Sequence, residues 1–157
     1  MHYLTKLNLY LKWFGFFKIP LVFFVNPKII QLDDELIRVK IKLNRKTKNH
    51  LNSMYFGVLA TGADITGGLL AMAIAQRKKQ KISMAFKSVS GEFIKRPEHD
   101  VEFDCKDVQL IAAMLDESKL TGLRINKVIQ IVATCPKKSL LEPVAKFALT
   151  LSIKHIP

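Results

Sequence analysis

Apolar and polar residues alternate along 37–43. Ile37, Val39, Ile41 and Leu43 fall on one side, and Arg38, Lys40 and Lys42 on the other. A period of two with one charged face predicts a strand that packs on a core by one side only. The period recurs at 101–105, where Val101, Phe103 and Cys105 alternate with Glu102 and Asp104. It is cleanest at 145–153, through Ala145, Phe147, Leu149, Leu151 and Ile153. Three further strands are expected: 28–32 before the turn Asp33–Asp34, 82–96 with a bulge near 88–91, and 123–134 stopped by Pro136.

Helical spacing takes over elsewhere. Leu4, Leu7, Leu11 and Phe14 form one stripe; Val108, Ile111, Ala112 and Leu115 form another behind Asp107, a cap candidate. The segment 54–76 is different, being apolar all round, with Asp64 as its single charge and glycines at 57, 62, 67 and 68. That pattern predicts a buried helix, with Asn52 and Ser53 as candidate N-caps. The order is helix, two strands, long helix, two strands, short helix, two strands. It predicts an α+β fold in which a curved antiparallel sheet wraps a long central helix. Residues 1–18 read as an N-terminal helical extension and 19–157 as a single domain.

Composition narrows the functions. A chain of 157 residues, 49% hydrophobic and 24% charged, suits one globular domain. Lys and Arg number 25 against 13 Asp and Glu, a formal charge of +12. The basic residues are spread out, with one tight run at 77–81, so a solvated surface or an anionic ligand is expected rather than a nucleic acid. Cys105 and Cys135 read as buried free thiols of a reducing, cytoplasmic compartment. Four scattered histidines give no metal-ligand spacing, so no metal is expected. The segment 54–76 could span a bilayer by length, but Asp64 and the glycines argue for a core helix. Lys6, Lys12 and Lys18 interrupt the N-terminal aromatics, so that segment is expected to dock on the domain; contact with a membrane surface is the alternative. No G-x-S-x-G, P-loop, G-x-G-x-x-G or H-x-x-x-H is present.

The run Asn49-His50-Leu51-Asn52-Ser53-Met54-Tyr55-Phe56-Gly57, continuing to Asp64, resembles the hotdog-fold thioesterase superfamily, in the branch of phenylacetyl-CoA-type thioesterases with the pattern N-x-x-G-x-x-H-G-G-x-x-x-x-x-A-D. It is still closer to the related domain-of-unknown-function 4442 group, whose pattern is near N-H-x-G-S-M-Y-F-G-A. Phe93-Ile94-Lys95-Arg96-Pro97 resembles the F-L-R-P that closes the strand after the central helix in these proteins. The resemblance spans about residues 20–155 and implies a hotdog fold.

It also implies roles. Asp64 stands where the family has its catalytic carboxylate. The N–H of Phe56 or Gly57 stands where the oxyanion donor lies, and Asn49 where a polar residue positions substrate or water. Tyr55 replaces the usual His, Phe56 the first Gly, and Asn52 the Gly before the helix. His50, Tyr55, Lys95 and Arg96 are candidates for holding substrate, the last two through the phosphates of coenzyme A. The expected activity is hydrolysis of an acyl-CoA or acyl-carrier thioester, with no cofactor beyond the coenzyme A of the substrate. The alternative is a non-catalytic hotdog module that binds acyl chains or CoA.

Physical chemistry bears on Asp64 separately. Burial of a lone carboxylate raises its pKa and suits a general base; the same residue could instead be a structural carboxylate held by Asn49, a Lys or a backbone N–H. Gly57 and Asp64 are seven residues apart, on one helix face but about 10 Å along the axis. One carbonyl cannot touch both, so a site using both needs two subunits. A homo-oligomer, a dimer or a dimer of dimers, is therefore expected.

Overall fold

The computed structural model describes residues 2–157. In chain order the elements are α1 (His2–Lys18), α2 (Pro20–Val25), β1 (Lys28–Leu32), β2 (Ile37–Ile41), α3 (Phe56–Arg77), β3 (Lys81–Phe93), β4 (Val101–Cys105), α4 (Val108–Thr121), β5 (Ile125–Cys135) and β6 (Ser139–Ile156). The strands form one antiparallel sheet in the order β1-β2-β4-β5-β6-β3. The α+β class, the curved sheet around a long helix and the hotdog architecture are as the sequence led one to expect.

Alternation explains the sheet's two faces. Ile37, Val39, Ile41, Val101, Phe103 and Cys105 are fully buried on one side of β2 and β4. On the other side Arg38 pairs with its register neighbour Asp104 through two hydrogen bonds of 2.6 Å. The helix α3 lies on the apolar face. A Cβ at position 62 would stand 2.3 Å from the Phe103 ring, and one at 67 would stand 2.7 Å from Ile129 Cδ1. Glycine at these two positions is what lets helix and sheet meet so closely. By length and composition α3 could cross a membrane, yet most of it is buried inside the protein.

Several details differ from expectation: β3 ends at Phe93 rather than at 96, and β5 begins at Ile125 rather than at 123. The N-cap of α3 is Tyr55, not Asn52 or Ser53, and it makes no side-chain capping bond. Asn52 has a left-handed φ of 58° in a tight turn, and the Ser53 hydroxyl donates to Asn49 Oδ1 at 3.1 Å, so both are committed to the loop. The bulge in β3 falls between Phe86 and Ser88. Asp107 is the N-cap of α4 without a side-chain bond to the helix; its carboxylate accepts from the Gln130 N–H at 2.6 Å and so ties α4 to β5. Cys105 and Cys135 are free and buried, and desolvation pushes the Cys105 thiol up to about 12.

The N-terminal segment is a helical hairpin. Leu11 is buried, and Leu4, Leu7 and Phe14 are half-buried on the same stripe. Asn8 lies on that stripe too: its Oδ1 accepts from the Ile29 N–H and its Nδ2 donates to the Ile29 carbonyl, both at 2.8 Å. Pro20 occupies the first turn of α2, which ends at Asn26 in the left-handed conformation, its N–H donating to the Val22 carbonyl. A Cβ at Gly15 would stand 2.8 Å from the Phe23 nitrogen, so glycine permits the tight return of α2 against α1.

Candidate active site

Asp64 projects from the third turn of α3. It is not enclosed by its own chain as a buried carboxylate would be: the side chain is exposed, on the helix face shared with Gly57, Thr61, Gly68 and Met72. Its surroundings are nevertheless apolar. It opens into a cavity of about 250 Å³ lined by Gly68, Leu69 and Met72 of α3, by Phe14, Ile19 and Val22 of the hairpin, and by Met84 and Phe86 of β3. Desolvation there raises the carboxyl pKa above the usual aspartate value. Among the described residues none hydrogen-bonds to the Asp64 carboxylate or pairs with it. A carboxylate held for structure has donors around it; this one has methyl groups, rings and open space.

Asn49 is therefore not the partner of Asp64. Its Oδ1 accepts from the Leu51 and Ser53 N–H groups and from the Ser53 hydroxyl, which builds the loop 49–53. His50 is exposed in that loop. Two bonds then fix the entrance to α3: Met54 N–H to the Pro97 carbonyl at 2.8 Å, and Tyr55 N–H to the Thr47 carbonyl at 2.9 Å. The Val58 and Leu59 N–H groups turn back to the Tyr55 carbonyl. The Phe56 and Gly57 N–H groups, next in line, donate to no acceptor among the described residues. With no capping side chain and no acidic residue in the first turn, the positive end of the α3 dipole is left uncompensated.

A second cavity, about 510 Å³, lies over this helix start. It is lined by Asn49, His50, Tyr55, Phe56, Phe93, Lys95 and Arg96, among others. Lys95 is engaged with Glu142, while Arg96 is exposed on the same rim. The Tyr55, Phe56 and Phe93 rings touch in series, the first pair tilted and the second edge-to-face, with centroids 4.8 and 6.1 Å apart. The structure thus gathers six of the candidate residues at the helix N-terminus, with Gly57 just below them, and leaves Asp64 two turns away in a separate cavity. Strand β3 serves both: Met84 and Phe86 line the Asp64 cavity, and Phe93 lines the other. Two contributors were missed in the sequence. Phe14 and Ile19 wall the Asp64 cavity, and only the fold-back of the hairpin brings them there. No cluster of potential metal ligands exists among the described residues.

Comparison with known proteins places this arrangement. The chain belongs to the family described as a domain of unknown function, DUF4442, whose model matches residues 8–104. No curated protein matches the chain in sequence. Among solved structures, a protein of unknown function from Chlorobaculum tepidum is similar at a TM-score of 0.82 and 14% identity, covering 96% of both chains. A candidate thioesterase of Shewanella oneidensis reaches 0.80 at 14% identity, over 98% of this chain and 99% of its own. A candidate thioesterase of Pseudomonas aeruginosa reaches 0.75 at 20% identity, over 97% and 96%. At these identities the likeness establishes the hotdog fold, over a length that includes the N-terminal hairpin.

Proposed function

We propose that the protein is a thioester hydrolase, acting on an acyl-CoA or acyl-carrier thioester, whose site forms between two copies of the chain. The observation that carries this reading is the pairing of an unpartnered, desolvated carboxylate at Asp64 with unused N–H groups at Phe56 and Gly57. Both border β3, the open edge of the sheet. Antiparallel pairing of β3 with the β3 of a second copy, about Val89, would set Ala85 and Phe86 of one copy beside Phe93 and Glu92 of the other. Asp64 of one protomer would then face the α3 N-terminus of its partner. The solved thioesterase-like neighbours support the reading at the level of fold.

The chemistry follows from the groups present. Asp64 takes a proton from water as the water oxygen bonds to the thioester carbonyl carbon. The carbonyl oxygen becomes an oxyanion, stabilised by the Phe56 and Gly57 N–H groups at the positive end of α3. The C–S bond then breaks, the thiolate receives the proton from Asp64, and a carboxylic acid and a thiol leave. The apolar cavity takes the acyl chain, and Arg96 at the outer rim suits the phosphates of a CoA-type carrier. Assay of wild-type protein and Asp64→Asn against a panel of acyl-CoAs tests this: turnover by the first and not the second supports it, and no turnover by either contradicts it.

The aromatic cluster at the helix start favours a second reading. Tyr55 and Phe56 crowd the place where an acyl carbonyl would approach, and a Cβ at Gly57 would lie 2.6 Å from the Tyr55 ring. If the rings bar the carbonyl from the amides, the protein binds acyl-CoA without cleaving it. Calorimetric binding with no release of free thiol would establish that module instead.

A further inference from the structure

We propose that the outer face of the α1–α2 hairpin is a docking surface for an anionic lipid bilayer. The inner face of the hairpin is anchored by Leu11, Val22 and Val25 in the core and by Asn8 on β1, so the outer face is held rigidly. That outer face is aromatic. Trp13 is 53% exposed and Phe17 61%, and Tyr10, Phe16, Phe23 and Phe24 are about half exposed. The rings join across the two helices: Trp13 to Phe17 at 5.2 Å, Phe17 to Phe16 at 4.9 Å, and Phe16 to Phe23 at 5.2 Å. Isolated exposed apolar residues need no explanation, but a continuous patch on two helices marks an interaction site.

Charge identifies the occupant. No Asp or Glu occurs before Asp33, while Lys6, Lys12, Lys18 and Lys28 do. The exposed loop residues Arg45, Lys46 and Lys48 continue this basic collar, and the Lys46 ammonium lies 5.2 Å from the centre of the Phe24 ring. Among the described residues Lys6, Lys12 and Lys18 have no acidic partner. An aromatic patch framed by unpaired lysines matches the headgroup region of a bilayer, where rings sit at the interface and ammonium groups meet lipid phosphates. A second copy would set like charge against like charge. Single-stranded nucleic acid would use the rings but not Leu9 and Leu21, which are also exposed and fit hydrocarbon. Spanning is excluded by length, since α1 has 17 residues broken by lysines and α2 has 6.

Trp13 is the only tryptophan in the chain and sits in the patch, so its emission reports the patch directly. The full chain would be floated with vesicles of phosphatidylcholine alone and of phosphatidylcholine mixed with phosphatidylglycerol. The expected result is co-flotation with the anionic vesicles, a blue shift of Trp13 emission and quenching by brominated acyl chains. Lys12→Glu with Lys18→Glu should weaken partition by more than tenfold, at about fivefold for each charge removed near the surface. Phe16→Ser with Phe17→Ser should abolish the blue shift; both pairs are exposed, so thermal melts should match wild type. Three results overturn the proposal: no flotation with anionic vesicles, flotation with Trp13 emission unshifted, or patch variants that change only oligomeric state or oligonucleotide binding.

Discussion

At one end of the sheet the five residues of β1 are covered by α1, and the Asn8 amide group bonds both the N–H and the carbonyl of Ile29, as a neighbouring strand would. At the other end the thirteen residues of β3 run along β6 with nothing on their outer side, and Val89 is 62% exposed. An unpaired edge of that length invites another strand, and proteins close, charge or pair such edges. Here the short edge is closed within the chain and the long one is open; in the proposed site a second copy pairs with it. The closed end carries structure. The open end carries the two halves of the proposed site, each incomplete in one protomer.

The comparison can be broken most strongly through its chemistry. Asp64→Asn keeps the side-chain volume but cannot take a proton, and acyl-CoA hydrolysis should fall about 10²–10⁴-fold with fold and oligomer unchanged. Loss of stability in place of activity would make Asp64 a structural residue. At the closed end, Asn8→Ala strands the Ile29 N–H and should lower stability by about 1–3 kcal/mol, read by denaturant unfolding, without altering oligomeric state. At the open end, Val89→Asp would set like charges across the proposed β3–β3 seam, each such pair costing up to about 1 kcal/mol. Sedimentation should then show a shift toward monomer. The reverse pattern, with association lost in Asn8→Ala and kept in Val89→Asp, would put the interface at the wrong edge.

The smallest effect concerns pH. The folded-state pKa of Asp64 lies above the unfolded value because of desolvation. Ionisation in the folded state is thus penalised above that raised pKa, and the penalty is absent below the ordinary carboxylate range. Asp64→Asn should therefore be slightly more stable than wild type at neutral pH, with the difference vanishing in acid. The acid limb of the wild-type rate profile should lie above the usual aspartate range for the same reason.

Much of this was legible in the residues. Strict alternation in 37–43 and 145–153 reports which face meets the core, and a sheet with one apolar face requires a helix such as α3. The Asp64 position stood out as the single charge in that helix. What periodicity could not convey was its exposure: averaged over 54–76 the helix reads as buried all round, while the fold leaves one face open where β3 ends the sheet. The role of Asn8 was hidden because a polar residue beside Leu4, Leu7 and Leu11 reads as an interruption. Its presence on an apolar stripe was the available signal, since a buried amide must bond to something. The hairpin turn at Gly15 and Pro20 was missed because its cause is a contact with Phe23, remote from any local pattern.

The shared site is tested most directly by mixing two inactive chains. Phe56→Pro deletes one oxyanion donor at the first helical position, where proline is accommodated, and Tyr55 before it is already extended (φ −62°, ψ 137°). Asp64→Asn deletes the base. Co-refolded in equal amounts, half of the dimers would pair one variant with the other, and each mixed dimer would hold one intact site. The account predicts recovery of about a quarter of wild-type activity from two chains that are each inactive alone. Mixed dimers that form, as shown by differential tags, yet recover no activity would contradict it.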